Sequence, residues 1–192
     1  MSKKISKTKK MLIEVARELF ATHGKRNITM HDIAEASKKG RRTLYTYFNN
    51  KEEIFREVID KELNYLLEEL TLVSDENIDP DIKLRKHVIT HLDAIKYIVN
   101  RNGSLRADFF RDIYQVERAR RKIDIAEIEL IRNILAEGIE EKIFKNMDLD
   151  LSSVVIFHAV KGLEVPYIRQ NLTKAFEENK HKIVEFIFNG IK

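Results

Sequence analysis

Residues 29–55, TMHDIAEASKKGRRTLYTYFNNKEEIF, admit few folds. Thr29 stands three residues before Asp32, the spacing of a capping box, so a helix is expected to start at Met30 with Ile33 and Ala34 turned inward. It stops between Ser37 and Gly40, where a small, flexible residue lets the chain turn, and Gly40 can cap a second helix beginning at Arg41. On that helix Leu44 and Phe48 lie four residues apart on one face and anchor it to a core, while Arg41, Arg42, Thr43, Tyr45, Thr46 and Tyr47 fan over the remaining faces. Asn50 and Glu53 repeat the capping-box spacing at the head of a third helix. Two short helices about a tight turn, running into a long one, form a helix-turn-helix.

The residue types on the second helix suit a major groove. Arginine takes guanine edges bidentately, threonine meets a base edge or a thymine methyl, and tyrosine hydroxyls reach phosphates. Lys51, in the first turn of the third helix, is placed for a phosphate. Charge agrees with this: residues 1–51 hold 13 Lys and Arg against 4 Asp and Glu, whereas residues 52–192 hold 22 against 27. A head of net charge +9 on a body of net charge −5 suits a polyanion at one end only.

Residues 11–59 resemble the helix-turn-helix domain of the tetracycline-repressor (TetR-like) family of transcriptional regulators. The likeness is carried by ARELF (16–20), Gly24, ITMHDIA (28–34) and TLYTYFNNKEEIF (43–55). It implies that Thr29, Arg41, Arg42, Thr43, Tyr45, Thr46, Tyr47 and Lys51 occupy positions that touch operator DNA. The chain departs from the family at one place: Lys38, Lys39 and Gly40 stand where a Gly-Val-Ser-like turn is usual, and Lys38 and Lys39 add candidate phosphate contacts.

The rest of the chain is read as helical too, with two prolines, six glycines and no sustained period-two alternation in 192 residues. About nine helices are expected in an all-α fold: a head over residues 1–50 with a basic N-terminal arm, and a body over 51–192. The first helix runs from about Thr8 to His23, and its Leu12, Val15, Ala16, Leu19 and Phe20 are assigned to the core. The fourth carries the stripe Ile54, Phe55, Val58, Ile59, Leu63, Leu66, Leu67 and Leu70, and at about 1.5 Å per residue it is long enough to link head and body. Further helices are expected over Asp81–Asn100, Leu105–Tyr114 and Val116–Phe144, the last with Ile123, Ile125, Ile128, Ile131, Ile134 and Leu135 buried.

The final two helices, about Leu151–Gln170 and Lys174–Ile191, are apolar over a wider arc than a monomer surface needs. Val154, Val155, His158, Ala159, Gly162 and Leu163 on one, and Ile183, Val184, Ile187, Phe188 and Ile191 on the other, are assigned to a two-fold four-helix interface, which the resemblance also implies. The resemblance further implies a small-molecule pocket in the body. Tyr97, Phe109, Phe110, Tyr114, His158, Lys161 and Tyr167 are its candidate lining.

Several chemistries find no support. There is no cysteine, hence no disulfide framework or thiolate zinc site. His87 and His91 share a helix face at a metal-ligand spacing, but no HExxH accompanies them, so no metal and no cofactor is assigned. GxxxxGK[ST], GxSxG and GxGxxG are all missing, so no enzyme is read here. No apolar run is judged to approach a membrane span and the N-terminus lacks a signal peptide's apolar stretch, so the expected location is cytoplasmic. The resulting expectation is a ligand-responsive regulator, a repressor, that binds a palindromic operator as a homodimer. Two rivals stand beside it: a helical interaction or architectural protein with a degenerate DNA-binding head, and a ligand-binding or enzymatic domain whose basic head is incidental.

Overall fold

The computed structural model describes residues 6–103 and 113–168, together with Lys182, Val184 and Glu185; the side chains of residues 113–119 lie outside the description. The described residues form α1 (Lys7–His23), a 3-10 turn (Lys25–Asn27), α2 (Met30–Ala36), α3 (Arg41–Tyr47), α4 (Lys51–Ser74), α5 (Pro80–Arg101), α6 (Ile113–Glu140) and α7 (Leu149–Ile168), with no strand among them. The all-α class is as expected. Seven α-helices are described rather than nine, because the segments 105–114 and 174–191, where two more are expected, lie largely outside the described residues.

The chain divides into two compact units, Met1–Leu63 with Ile98–Arg120, and Asn64–Tyr97 with Arg121–Lys192. The expected boundary after residue 50 falls at the first residue of α4, inside the first unit.

In the first unit α1 packs on α2 and α2 on α3. Leu12, Ala16, Phe20, Ile33, Leu44, Ile54, Phe55 and Val58 are all buried, and the Phe20 and Phe55 rings meet edge-on at 6.1 Å. An aromatic ring buried in such a contact contributes about 2–3 kcal/mol through apolar area alone. Of the α1 residues assigned to the core, Leu12, Ala16 and Phe20 are buried and Val15 and Leu19 half-buried. On the same helix Arg17 is 9% exposed and donates from Nε to Glu14 at 2.7 Å.

In the second unit the core is Leu84, Val88 and Leu92 from α5, Ile131, Ile134 and Leu135 from α6, Ile156, Phe157, Val160 and Tyr167 from α7, with Phe144 and Val184. Ile125, expected inside, is 61% exposed. It lies two residues from buried Ile123, about 200° around the helix and so on the opposite face. Asp79 caps α5, its Oδ1 accepting from Asp81 N at 2.9 Å, and Pro80 follows at the first helical position where a missing N–H costs nothing. After α6 the chain folds back tightly: Ile143 N and Phe144 N both donate to the Gly138 carbonyl, at 2.8 and 3.0 Å. A Cβ on Gly138 would stand 2.2 Å from the Phe144 ring.

This unit also buries charge. His91 is fully enclosed and donates from Nδ1 to Glu127 at 2.7 Å and from Nε2 to Glu164 at 3.0 Å, tying α5 to α6 and α7. Burial alone would push the imidazole down, but the two carboxylates outweigh it and hold it protonated, up to about 9. Burial likewise pushes Glu127 up, and His91 and His87 outweigh that, bringing it down to about 2. His87, one turn earlier, is equally enclosed; its Nε2 lies 3.4 Å from Glu127 Oε1 without the geometry of a hydrogen bond. Of the i,i+4 histidines, His91 is thus paired with two carboxylates and His87 lies beside one of them. Among the described residues no three of His, Asp or Glu are arranged to hold a metal ion.

The expectation that no apolar run approaches a membrane span needs correction at α7. An 18-residue window of this 20-residue helix reaches a mean hydropathy of 1.2 and so passes by length and composition alone, a test that a core helix also passes. The physical reason is that two opposite faces are apolar. Ile156, Phe157, Val160 and Tyr167 fill the core, while Leu151, Val154, Val155 and Val165 face outward.

Two outcomes follow. Gly138→Ala is expected to destabilise the protein by about 1–3 kcal/mol in urea unfolding, because Phe144 must leave its seat. His91 has a folded-state pKa above its ordinary 6.5, so its stabilisation is complete below that value and lost as pH rises through about 9. Glu127, lowered from 4.5 to about 2, contributes fully above 4.5 and loses its share only as pH falls through about 2. Unfolding free energy should thus fall between pH 6.5 and 10 by up to roughly 3 kcal/mol, and His91→Gln should flatten that alkaline limb.

Candidate nucleic-acid interface

α2 starts where the capping box sets it. Thr29 Oγ1 accepts from Asp32 N at 3.3 Å, and Asp32 Oδ2 accepts from Thr29 N at 2.8 Å. The Thr29 backbone N–H, with its hydroxyl, holds the Asp32 carboxyl below its ordinary range. The helix ends at buried Ser37, whose hydroxyl donates to the Ala34 carbonyl at 2.9 Å.

The turn that follows inverts the expected order. Lys38, not Gly40, takes the left-handed conformation, with φ 53°, and Lys39 N closes the turn on the Ala34 carbonyl at 3.0 Å. Gly40 is ordinary extended backbone, φ −62° and ψ 146°, with open space where a Cβ would stand. It caps α3 through its carbonyl, which accepts from Thr43 N at 2.9 Å, but supplies no side-chain acceptor. A Gly-Val-Ser turn would put glycine at the left-handed position and serine at the cap. This chain has neither.

α3 is seven residues long and is held by Leu44, 0% exposed, and Phe48 just past its end, 1% exposed. With those two inward, Arg41, Arg42, Tyr45 and Thr46 are exposed and Thr43 and Tyr47 half-buried. Thr29, Lys38 and Lys39 are exposed as well. Arg41 Nε donates to His31 Nδ1 on α2 at 3.4 Å, and Thr46 Oγ1 donates to the Arg42 carbonyl at 2.9 Å, leaving the Thr46 oxygen as an acceptor. Lys51 has a task that its spacing did not indicate: its Nζ donates to the carbonyls of Lys25 and Ile28, at 2.8 and 2.7 Å. Those bonds tie the first turn of α4 to the 3-10 turn and to the extended Ile28 before α2. Spacing alone could not separate a lysine that reaches outward from one folded back onto carbonyls 23 and 26 residues away in sequence. The second capping box also differs by one residue. Asn50 Oδ1 accepts from Glu53 N at 2.8 Å, but Glu53 Oε2 takes Asn49 N at 2.7 Å.

Residues 12–58 match the family model described as "Bacterial regulatory proteins, tetR family". Those residues form a TetR-like helix-turn-helix domain. It is 27% identical over 168 residues to the uncharacterized HTH-type transcriptional regulator YhgD of Bacillus subtilis, covering 85% of each chain. It is 29% identical over 164 residues to the probable acrEF/envCD operon repressor of Escherichia coli K12, covering 82% of this chain and 74% of that one. The fold is that of a transcriptional regulator from Cytophaga hutchinsonii: TM-score 0.78, 24% identity, covering 95% of this chain and 97% of the other. The matched stretch spans the helix-turn-helix built by α2 and α3.

The remaining expected site residues do not converge. Tyr167 is in the core, its hydroxyl donating to Asp93 and its ring 5.2 Å from Lys96 Nζ. Tyr97 is 49% exposed, its ring 5.5 Å from that of Tyr65. Lys161 pairs with Asp124 at 2.5 Å, and His158 lies on the exposed face of α7. Phe109, Phe110 and the side chain of Tyr114 are outside the described residues. Along α4, Asn64, Leu67, Glu68, Thr71 and Leu72 line a groove of about 540 Å³ that the sequence did not single out. Of the residues assigned to a two-fold interface, Val154, Val155, His158, Ala159 and Gly162 are exposed and Leu163 half-buried. Val184 is 2% exposed within its own chain's core and so is withdrawn from that assignment. Ile183, Ile187, Phe188 and Ile191 are outside the described residues.

The inverted turn is testable. Lys38→Gly relieves a left-handed lysine and Gly40→Ser adds the absent cap, so the double variant should gain roughly 1 kcal/mol in thermal unfolding.

Proposed function

We propose that the chain is a repressor that binds a palindromic operator as a homodimer, α3 entering the major groove, and that a small molecule releases it. The observation that carries this is the division of α3: Leu44 and Phe48 are consumed in anchoring it, and every other side chain is polar or aromatic and at least partly exposed. Arg41 and Arg42 are assigned to base edges or flanking phosphates, Thr43 and Thr46 to base edges, Tyr45 and Tyr47 to phosphates, and Thr29, Lys38 and Lys39 to the adjoining backbone. Lys51 acts through the link it holds before α2. Residues 1–50 form the reading head and 51–192 the part that dimerises and takes the effector. Action on DNA places the protein in the cytoplasm.

Support for the dimer is the outer face of α7. Leu151, Val154, Val155, His158, Ala159, Gly162 and Val165 are all exposed and none is an Asp, Glu, Lys or Arg. Among the described residues nothing lies within 4 Å of a would-be Cβ on Gly162, and a glycine inside a helix costs roughly 1 kcal/mol unless another backbone needs to approach. Two copies related by a two-fold axis would cover this face and set half-sites about 34–36 Å apart or a related spacing. The apolar-walled groove on α4 is the candidate effector site. Binding there shifts operator occupancy by the effector's difference in affinity between the DNA-competent and released states.

Two measurements check the reading. Arg42→Ala should weaken binding to the preferred duplex by about 1–3 kcal/mol in a titration across salt concentrations, with specificity relaxed at one base pair; a uniform loss on all sequences would reassign Arg42 to phosphate. Val155→Asp should convert the dimer to monomer in analytical ultracentrifugation and abolish binding to the full palindrome. A variant that sediments as wild type would remove α7 from the interface.

A further inference from the structure

The end of α5 belongs to the same compact unit as the DNA-binding helices, and a dense polar contact holds it there. Asn102 is completely buried and donates from Nδ2 to Glu62 Oε2 on α4 at 3.1 Å and to the Ile98 carbonyl at 2.7 Å. Arg101 Nη2 lies 3.5 Å from the other oxygen of Glu62 and 3.4 Å from Glu14 on α1. Arg17, from the next turn of α1, donates from Nη1 to the Arg101 carbonyl at 3.2 Å and so caps the C-terminus of α5 with a cation, where the helix dipole favours one. Two residues on, Gly103 has φ 42°, and a Cβ there would stand 2.7 Å from the Ala21 carbonyl oxygen of α1.

The components differ in tolerance from the apolar packing around them. Glu62 is 1% exposed, and burial pushes its carboxyl up against the opposing pull of Arg101 and Asn102. A buried carboxylate is stable only while its partners stay within hydrogen-bond reach, a window of a few tenths of an ångström. Apolar side chains slide over larger distances at little cost, whereas this contact does not. The backbone approach at Gly103 leaves no slack beneath it. α1 carries α2, and α2 carries α3.

We propose that residues 98–103 are a positioning element of the DNA-reading head: through Arg17, Glu62, Asn102 and Gly103 they fix α1 on α4 and thereby the presentation of α3. The proposal rests on the reading of α3 as the operator-contacting helix. None of these four residues faces DNA in that reading, so their loss acts on specific binding and spares the general attraction of a basic surface for phosphate.

The test uses the full-length protein and a duplex that the wild type enriches from a random-sequence library, with an unrelated duplex of equal length alongside. Arg17→Met and Gly103→Ala are each compared with Ile131→Val, a stability control in the other unit, all at a temperature where thermal melts show them folded. Arg17→Lys keeps the charge and carries the test where the others unfold. The expected result is a loss of roughly tenfold or more on the enriched duplex, unchanged affinity for the unrelated one, and partial recovery in Arg17→Lys. Wild-type affinity of the folded variants for the enriched duplex, or an equal loss on both duplexes, would overturn the proposal. Failure of the wild type to enrich any sequence would remove the operator reading itself, and the proposal with it.

Discussion

Burial of Leu44 and Phe48 is the constraint on which the rest depends. A seven-residue helix has almost no stability of its own, because nucleation fixes several dihedrals for each hydrogen bond gained. α3 exists because two side chains in consecutive turns reach a core already built by Phe20, Ile33 and Phe55. That economy leaves the other six residues of the helix without any structural duty to the core. Recognition chemistry can occupy them without a conflict between fold and function.

The head was legible because its devices are local. A threonine three residues before an aspartate, two apolar residues four apart and a small residue in a turn each act over one or two helical turns, and the structure contains all of them. What misled was local too, but finer than spacing. Gly40 looked like the residue that makes the turn possible, whereas Lys38 adopts the demanding conformation. Residue identity ranks conformational cost; it does not say which neighbour will bear it. The bonds that Lys51 makes were hidden for a different reason. Their acceptors, the carbonyls of Lys25 and Ile28, are backbone groups and leave no trace in a side-chain pattern.

In the second unit the sequence indicated helices and most of the core, yet not the ionic interior. His87, His91, Glu127 and Glu164 lie on three helices up to 77 residues apart, so no periodicity links them, and histidines at i,i+4 equally suit a metal, a solvent face or a buried pair. Only tertiary placement selects among these. α7 shows the converse. Its breadth of apolar surface was visible from composition, and the structure resolves it into an inward face and an outward one. The pocket candidates were the least legible of all. Tyr167 is a core residue with a polar handle, and its aromatic character carried no information about whether a cavity lay beside it.

The left-handed Lys38 has a consequence for how the head moves. Strain there is relieved whenever the turn lets go, and the turn is closed by few bonds, chiefly those of Lys38 and Lys39 to the end of α2. α3 adds only two anchors beyond it, while α4 has 24 residues and an almost continuous buried stripe. Opening is thus graded along the chain. By the number of contacts that hold it, α3 belongs to the weakly protected end of the ladder of local unfolding and the long helix behind it to the well-protected end.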